Sequence, residues 1–343
     1  WYEGAPEPKW EWQSTGGSDD FEPKFSLVPL IFGTFKGTFY AMLFALPIAL
    51  LAALYTSQFL DPRFRSIVKP TMEIMASLPS VVLGFLGAIY IAPIIEKEIP
   101  SFILLAVGLP LVAAITGFFW SRLPIRYRKL IHPGWEWIVF VPLLLVSSWG
   151  FFQLGTVVES IAFVVTDPAT GQKTADFGAW WTATTGNSFD QRNSVVVGFM
   201  MGFAIIPIIF TIADDALSNI PAQLITASMA CGASRWQTAV RVVLPTASPG
   251  IFSAIMIGLG RAVGETMIVV MATGNTPITE WNIFSGMRTL SANIAVELPE
   301  APHHSTLYRT LFLGALVLFV FTFVFNTFAE ILRHRLRERF KTI

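Results

Sequence analysis

The sequence has few charged residues and almost no cysteine or histidine. Only 13% of its 343 residues carry a charge, which is about half the share in an ordinary soluble domain. So few charges cannot cover the surface of a soluble protein of this size. The single cysteine, Cys231, excludes a disulfide within the chain and a C-x-x-C metal or redox site. Because it and the four histidines form no clustered pattern with Asp or Glu, we expect neither a metal site nor a cofactor.

Two further absences narrow the possible functions. No Gly-Lys dipeptide occurs, so the chain has no G-x-x-x-x-G-K-[ST] phosphate loop and is not itself a P-loop ATPase. Lys and Arg together number 23, as do Asp and Glu. The net charge is therefore zero and gives no reason to expect a nucleic acid as partner.

Long apolar runs are what the sequence does contain. Hydrophobic residues make up 53% of the chain, and the mean hydropathy is +0.60. We predict an all-α, polytopic membrane helix bundle in which residues 29–332 form the transmembrane domain, because several runs are long enough to cross a hydrocarbon layer of roughly 30 Å. The seven runs lie near 29–57, 78–95, 102–120, 137–158, 194–213, 247–272 and 307–332.

The first 28 residues differ from the rest. They interleave acidic residues with aromatic ones, Trp10 and Trp12 among them, and contain Gly-Gly-Ser at 16–18. This composition predicts a linker or interfacial segment, 1–28, with aromatic anchors. Residue 1 is Trp instead of Met, and no signal-peptide pattern opens the chain. We therefore expect that a further part of the protein, including a membrane helix, precedes it.

The distribution of basic residues predicts the orientation of the chain. The loops 58–77, 121–136 and 214–246 and the tail 333–343 hold 14 Lys and Arg, whereas the opposite side holds six. Basic loops face the cytoplasm, so the N-terminal segment is predicted to be periplasmic and the basic tail cytoplasmic. By these boundaries the inner parts carry a net charge of +8 and the outer parts a net charge of −9.

Two charged residues fall inside the sixth run. Arg261 and Glu265 stand four positions apart, so on one continuous helix they share a face and are able to pair. Ionised side chains in a membrane face a bundle interior or a wet pathway. Two alternatives remain: the pair is a self-neutralising structural element, or Glu265 orients the Arg261 guanidinium for a passing oxyanion.

Other charges near the ends of runs need no special role. Lys36, Arg309 and Glu330 lie within about two turns of an end and are predicted to snorkel to the membrane interface. Asp214 and Asp215 close the fifth run and are predicted to be solvated.

The cytoplasmic segment 214–246 is predicted to be a helix, a bend and a second helix. Pro221 suits a helix start, and Gly232 breaks that helix. Ser234 is placed to cap a second short helix that ends before Pro245. Such an arrangement fits a docking element for another protein, or alternatively an amphipathic structure lying on the membrane surface.

This segment resembles the coupling loop of ATP-binding-cassette (ABC) importer permeases, which inserts into a groove on a separate ATPase subunit. One departure is Thr226, which stands where that family usually has an acidic residue, so the salt bridge of that acid to the ATPase is in question. The resemblance implies that coupling to the ATPase uses Ala227, Ser228, Gly232, Ala233, Arg235, Leu244 and Pro245.

The string at 260–267, Gly-Arg-Ala-Val-Gly-Glu-Thr-Met, resembles the permeases of phosphate importers, in particular the PstC type. The stretches 33–59 and 78–84 are similar to the same family. The resemblance implies a type I ABC-importer (MetI-like) fold. It also implies a substrate pathway lined by Arg261, Glu265, Thr266 and Ser80.

The same resemblance implies the partners and the location. Expected are a homologous second permease subunit of the PstA type, a dimer of a PstB-type ATPase that hydrolyses ATP in place of this chain, and a periplasmic phosphate-binding protein of the PstS type, all at a bacterial inner membrane. Residues 101–190 depart from the family pattern and are predicted to be an insert with two extra spans and a periplasmic loop. A permease for molybdate or sulfate, an ion-coupled secondary transporter and a non-transporting scaffold remain alternatives.

Overall fold

The structure is a computed structural model that describes residue 2 and residues 6–15, 22–124, 127, 134–166 and 173–340, without the side chains of 336, 337, 339 and 340. Several residues that enter the predictions above lie outside these ranges: Trp1, Gly16, Gly17, Ser18, Arg126, Arg128, Lys129 and Lys341.

The chain forms two compact units. The first comprises Trp1–Gln58, Arg65–Ala88 and Arg192–Ile343, and the second comprises Phe59–Phe64 and Ile89–Gln191. In chain order the strands and helices are β1 (Trp12–Gln13), β2 (Lys24–Phe25), α1 (Val28–Gln58), α2 (Pro62–Ala76), α3 (Ser80–Leu86), a π-helical turn (Gly87–Ile91), α4 (Ala92–Lys97), α5 (Ile99–Arg122), α6 (Trp137–Ala162), β3 (Val164–Thr166), β4 (Lys173–Ala175), α7 (Phe177–Thr185), α8 (Ser194–Ser218), α9 (Ala222–Ala230), α10 (Arg235–Thr238), a second π-helical turn (Ala239–Val243), α11 (Leu244–Val263), α12 (Met267–Ala272), α13 (Leu290–Glu297) and α14 (Thr306–Phe340).

Seven helical stretches in the described residues are long and apolar enough to cross a membrane. They match the predicted runs in number and order, which confirms the all-α membrane bundle. The described residues also contain two short antiparallel ladders, β1–β2 and β3–β4. The candidate spans are Val28–Gln58, Ser80–Lys97, Ile99–Arg122, Trp137–Ala162, Ser194–Ser218, Arg235–Val263 and Thr306–Arg335.

Small residues bring the helices of the first unit close together. A side-chain carbon added at Gly198 of α8 would lie 2.6 Å from Cβ of Tyr40 in α1. At Gly258 of α11, an added carbon would lie 2.6 Å from the side chain of Ile209 in α8. Lipid supplies no hydrophobic force between helices, so close packing of this kind holds the unit together.

The second unit is built on a pair of apolar helices, α5 and α6. The Ser101 hydroxyl of α5 donates a hydrogen bond to the Phe152 carbonyl of α6 at 3.2 Å. Gly155 of α6 faces Ser101, and because it has no side chain the two helices can approach closely enough for this bond. After the β3–β4 ladder, Asp176 caps α7 by accepting a hydrogen bond from the backbone N–H of Ala179 at 3.0 Å. Both predicted extra spans are thus helical, whereas their status as an insert, 101–190, stays a prediction.

One of the aromatic anchors that we predict in the N-terminal segment is buried in protein. Trp12 is only 4% exposed, and it packs with Leu30, Leu290 and Leu311 in one apolar cluster. Its strand, β1, pairs with β2 so that Trp12 stands opposite Phe25. The prediction of an interfacial anchor is therefore wrong for Trp12, because protein side chains cover the indole.

Two charged residues that we predict at an interface or in water are buried. Lys36 is fully buried in α1 and donates to the Ser285 hydroxyl at 2.9 Å, so the prediction that it snorkels is wrong. Asp214 is also fully buried, and the Arg65 guanidinium lies 2.9 Å from its carboxylate, so its predicted solvation is wrong. Asp215, the next residue, is exposed. Position along an apolar run did not reveal these partners, since both come from distant parts of the chain.

Candidate substrate pathway and coupling segment

The sixth predicted run is broken where its charged residues lie. We predict one helix over 247–272, but α11 ends at Val263 and α12 begins at Met267. The last turn closes through hydrogen bonds of 3.3 Å from the Gly264 N–H to the Gly260 carbonyl and from the Glu265 N–H to the Ala262 carbonyl. Irregular backbone at membrane depth occurs where protein or a wet cavity covers it, so this break marks a candidate site.

Glu265 holds the break in place. Its carboxylate is buried and lies 3.4 Å from the backbone N–H of Ile268, in the first turn of α12, where an acidic group also meets a favourable helix dipole. Its backbone carbonyl accepts a hydrogen bond of 2.9 Å from the Ser291 hydroxyl at the start of α13. Sequence reasoning missed Ser291, because nothing in the sequence indicates that α13 reaches this break.

Arg261 does not pair with Glu265. The guanidinium is exposed, and within the described residues it has neither an ion pair nor a hydrogen bond. The predicted pairing fails because the break turns Glu265 away from the face that Arg261 occupies on α11. A cation in the last turn of a helix is stabilised by the helix dipole, and here all five N–H donors of Arg261 stay available to another molecule.

The two predicted hydroxyl residues stand at the starts of two helices that pack on each other, α12 and α3. Thr266 precedes α12 and donates to the Gly264 carbonyl at 3.1 Å. Ser80 opens α3, which packs on α12 at Gly84, where an added carbon would lie 3.0 Å from Cα of Ile268. No hydrogen bond joins Ser80 to Arg261, Glu265 or Thr266 in the described part of the chain. The structure thus brings α3 to the break without joining the predicted pathway residues to each other.

A buried polar cluster supports α13 from its far end. The Glu297 carboxylate accepts hydrogen bonds from the Arg288 guanidinium at 2.7 Å, the Trp12 indole at 3.0 Å and the Ser14 hydroxyl at 2.8 Å. Burial lowers the pKa of Arg288, and the adjacent Glu297 charge opposes that shift. The N-terminal segment is therefore tied to the same short helix that contacts Glu265.

The predicted coupling segment, residues 221–245, folds as a helix, a bend and a second helix, as the sequence predicts. α9 starts after Pro221 and ends before a tight bend at Gly232, whose φ of +87° favours glycine. Ser234 then caps α10: its hydroxyl accepts from the Gln237 N–H at 3.2 Å, and the Gln237 side chain accepts from the Ser234 N–H at 2.8 Å. This capping box stiffens the turn that presents Arg235.

The helices α9 and α10 of the predicted coupling segment expose much of their surface. None of the residues of α9 is buried, and Trp236 on α10 is 60% exposed. A hydrogen bond of 3.0 Å between the Ser228 and Thr238 hydroxyls joins the two helices. Thr226 directs its hydroxyl to the carbonyls of Ala222 and Gln223 in its own helix, so it offers no charge in place of the usual acid.

The predicted helix end before Pro245 is wrong. After α10 the backbone passes through the π-helical turn Ala239–Val243 and continues as α11, with Pro245 in its first turn. The N–H of Leu244 reaches back five residues to the carbonyl of Ala239. In a regular helix the proline ring clashes with the carbonyl four residues earlier, and the wider π turn avoids that clash. One continuous helical path therefore leads from the coupling segment to Arg261.

Comparison with known proteins gives the family. A model of the binding-protein-dependent transport system inner membrane component matches residues 45–338. Bacillus subtilis has a probable ABC transporter permease, YqgH, that is 25% identical over 89% of this chain and 71% of its own length. The phosphate transport system permease PstC 1 of Mycobacterium tuberculosis is 28% identical over the same shares, and PstC of Mesorhizobium japonicum is 28% identical over 73% of this chain and 74% of its own.

A solved structure of the MetNI methionine ABC transporter in inward-facing conformations also matches, with 16% identity and a TM-score of 0.43, over 90% of this chain and 94% of that one. The family match spans most of the chain, from the middle of α1 to the end of α14. This chain therefore belongs to the family of binding-protein-dependent transport system inner membrane components.

Proposed function

We propose that this chain is one of two membrane-spanning subunits of an ATP-driven importer of inorganic phosphate. Its family supports the permease role, and the phosphate permeases among its relatives support the anion. The observation that carries the proposal is the helix break at 264–266, beside which the Arg261 guanidinium stays unpaired within the described residues. An available fork of donors at a membrane-spanning helix suits a tetrahedral oxyanion.

The charge of phosphate requires a second cation. Phosphate carries about one to two negative charges at neutral pH, and Arg261 supplies one positive charge. The second arginine is expected from the homologous partner subunit, which brings its own copy of the site. Ser80 and Thr266 are proposed as additional hydroxyl contacts to the phosphate. Glu265 is proposed to hold the helix break at 264–266 in place and not to orient the Arg261 guanidinium.

ATP hydrolysis takes place in a separate ATPase dimer. The exposed α9–α10 segment, 221–245, docks on that ATPase through Ala227, Ser228, Gly232, Ala233 and Arg235, with Leu244 and Pro245 starting α11. ATP binding closes the ATPase dimer and moves this segment. Because α11 continues from it, the movement shifts the bundle between inward-open and outward-open states through differential binding of ATP to the two states.

The proposed orientation places the N-terminal segment in the periplasm and the C-terminus in the cytoplasm of a bacterial cell. With this orientation the outer parts carry a net charge of −9, counted on the predicted boundaries. A surface of that sign repels phosphate. Delivery by a periplasmic phosphate-binding protein is therefore part of the proposal.

Reconstitution tests the proposal as a whole. The permease pair is purified with any ATPase that accompanies it and placed in liposomes with the phosphate-binding protein. We expect phosphate-dependent ATP hydrolysis and uptake of labelled phosphate. Stimulation by sulfate- or molybdate-loaded binding protein alone would assign another oxyanion, and recovery of the pair without any ATPase would overturn the ABC mechanism.

A further inference from the structure

Asn326 is an uncompensated amide in an apolar helix. α14 is apolar from Leu311 to Ala329 apart from a few polar side chains, and the Thr322 hydroxyl is satisfied by the Leu318 carbonyl of its own helix at 3.1 Å. Asn326 is exposed, and its amide has no hydrogen bond among the described residues. An amide facing hydrocarbon without a partner is costly, so this side chain is expected to face water or a polar ligand.

The amide lies beside the turn that carries Arg261. A side-chain carbon added at Gly260 of α11 would lie 3.7 Å from Oδ1 of Asn326, and among the described residues no other atom beyond the neighbouring part of α11 itself comes within 4 Å of that position. Gly260 thus leaves the amide oxygen uncovered, and the next residue along α11 is Arg261, which is also exposed and unpaired in the described chain. Two neighbouring helices therefore present unpartnered polar groups at one level of the bundle.

The two side chains complement each other chemically. A guanidinium only donates hydrogen bonds, whereas an amide donates through its NH2 group and accepts through its oxygen. Phosphate keeps at least one hydroxyl at neutral pH, and that hydroxyl needs an acceptor. The Glu265 carboxylate is the charged acceptor nearest to Arg261 in the sequence, but it is buried and contacts the backbone N–H of Ile268 in α12. It is therefore not placed to accept a hydrogen bond from the anion.

We propose that Asn326 lines the same aqueous anion pathway as Arg261 and that its amide oxygen accepts a hydrogen bond from a hydroxyl of the passing anion. The identity of that anion rests on the proposed function. The lining of a wet pathway rests on the unpartnered amide itself.

Cysteine accessibility tests the pathway. In a Cys231→Ser background, Asn326→Cys is compared with Val324→Cys, an exposed position on the other side of the same helix. Membranes that contain the complete transporter are treated with anionic and cationic membrane-impermeant methanethiosulfonates. We expect residue 326 to react at least about tenfold faster than residue 324, with a preference for the anionic reagent that Arg261→Ala removes. Equal rates at the two positions would overturn the proposal.

Phosphate uptake tests the hydrogen bond. Asn326→Leu, which is close in size, should lower the uptake rate about tenfold, while Thr327→Val on the next position should leave it within about twofold. Co-purification of the partner subunits checks that each variant assembles. Wild-type uptake in Asn326→Leu would refute the hydrogen bond. The two proposals fail separately. If the wild-type transporter moved an anion other than phosphate, the proposed function would be wrong, but the cysteine labelling would still show whether Asn326 lines an aqueous pathway.

Discussion

At the scale of single residues, the surrounding fold determines whether an ionisable side chain is buried and paired or exposed and unpaired. Glu265 and Arg261 are four positions apart, yet one is buried at the start of α12 and the other is exposed at the end of α11. Lys36 contacts Ser285, 249 positions away. Spacing along the sequence predicts none of these arrangements: contacts across the fold involve Glu265 and Lys36, and the helix break separates Arg261 from Glu265.

Removal of Arg261 should stop transport without unfolding the protein. We expect Arg261→Ala to lower phosphate uptake by about a hundredfold or more, because a bidentate contact of a guanidinium to an oxyanion is worth about 3 kcal/mol. Arg261→Lys should retain part of the activity. Uptake is measured in cells or proteoliposomes, with assembly checked by co-purification. Arg309→Ala is the control and should keep normal uptake, since that arginine is exposed at the beginning of α14. Normal uptake by Arg261→Ala would refute the role of Arg261.

Loss of the Glu297 carboxylate should destabilise the first unit. Glu297→Ala removes the acceptor of Arg288, Trp12 and Ser14 together and leaves Arg288 largely buried with its charge uncompensated. We expect the free energy of unfolding to fall by about 3 kcal/mol, measured as a lower thermal midpoint in detergent. Glu300→Ala, at an exposed position, should change little. Equal midpoints for the two variants would contradict this role.

At the scale of elements, the hydrophobic pattern predicts which parts are helical better than it predicts where helices break. The seven spans follow from apolar runs that are long enough to cross a membrane, where the backbone must satisfy its own hydrogen bonds and therefore forms helices. The break at 264–266 escaped prediction because glycines are common in membrane helices and the spacing of Arg261 and Glu265 suits a continuous one. The course through Pro245 escaped it because a π turn leaves no signature in the sequence.

The bend at Gly232 should matter for coupling more than for stability. Gly232→Ala places a side chain at a φ of +87°, in open space, which costs about 1 kcal/mol. Gly186→Ala is a matched control, because Gly186 ends α7 with a φ of +72° and also has no atom within 4 Å. We expect both variants to lose similar stability.

The difference between these variants appears in transport. Only Gly232→Ala should lower the amount of phosphate taken up per ATP hydrolysed, because only that bend shapes the exposed α9–α10 surface. Equal coupling ratios in the two variants, measured in proteoliposomes, would show that the bend has no part in docking.

At the scale of the whole molecule, a net charge of zero conceals a strong polarity. By the predicted boundaries, +8 on one side of the membrane and −9 on the other average to nearly nothing. The sequence was sufficient to predict the spans, because they depend on the length and hydropathy of apolar runs, whereas the charge asymmetry follows from the predicted orientation and stays a prediction. It could not predict that the N-terminal segment packs into the protein, since Trp12 finds its partners near residues 290–311.

The exposed, single cysteine allows a direct test of orientation. Cys231 lies at the end of α9, on the side that we predict to be cytoplasmic. A membrane-impermeant maleimide should label it in inverted vesicles of cells that lack the ATPase, and not in intact spheroplasts. Thr174→Cys in a Cys231→Ser background should show the opposite pattern, because β4 is exposed on the predicted outer side. Labelling of Cys231 from outside would reverse the proposed topology.

The hydrogen bond between Trp12 and Glu297 sets a time scale for biogenesis. The two residues are 285 positions apart. Ribosomes add about 5–20 residues per second, so roughly 15 to 60 s pass between the synthesis of Trp12 and that of its acceptor. During this interval the indole lacks the carboxylate that it will contact, and Leu311, which packs in the same apolar cluster, is made later still, so this segment reaches its final environment only after the first turns of α14 have been synthesised.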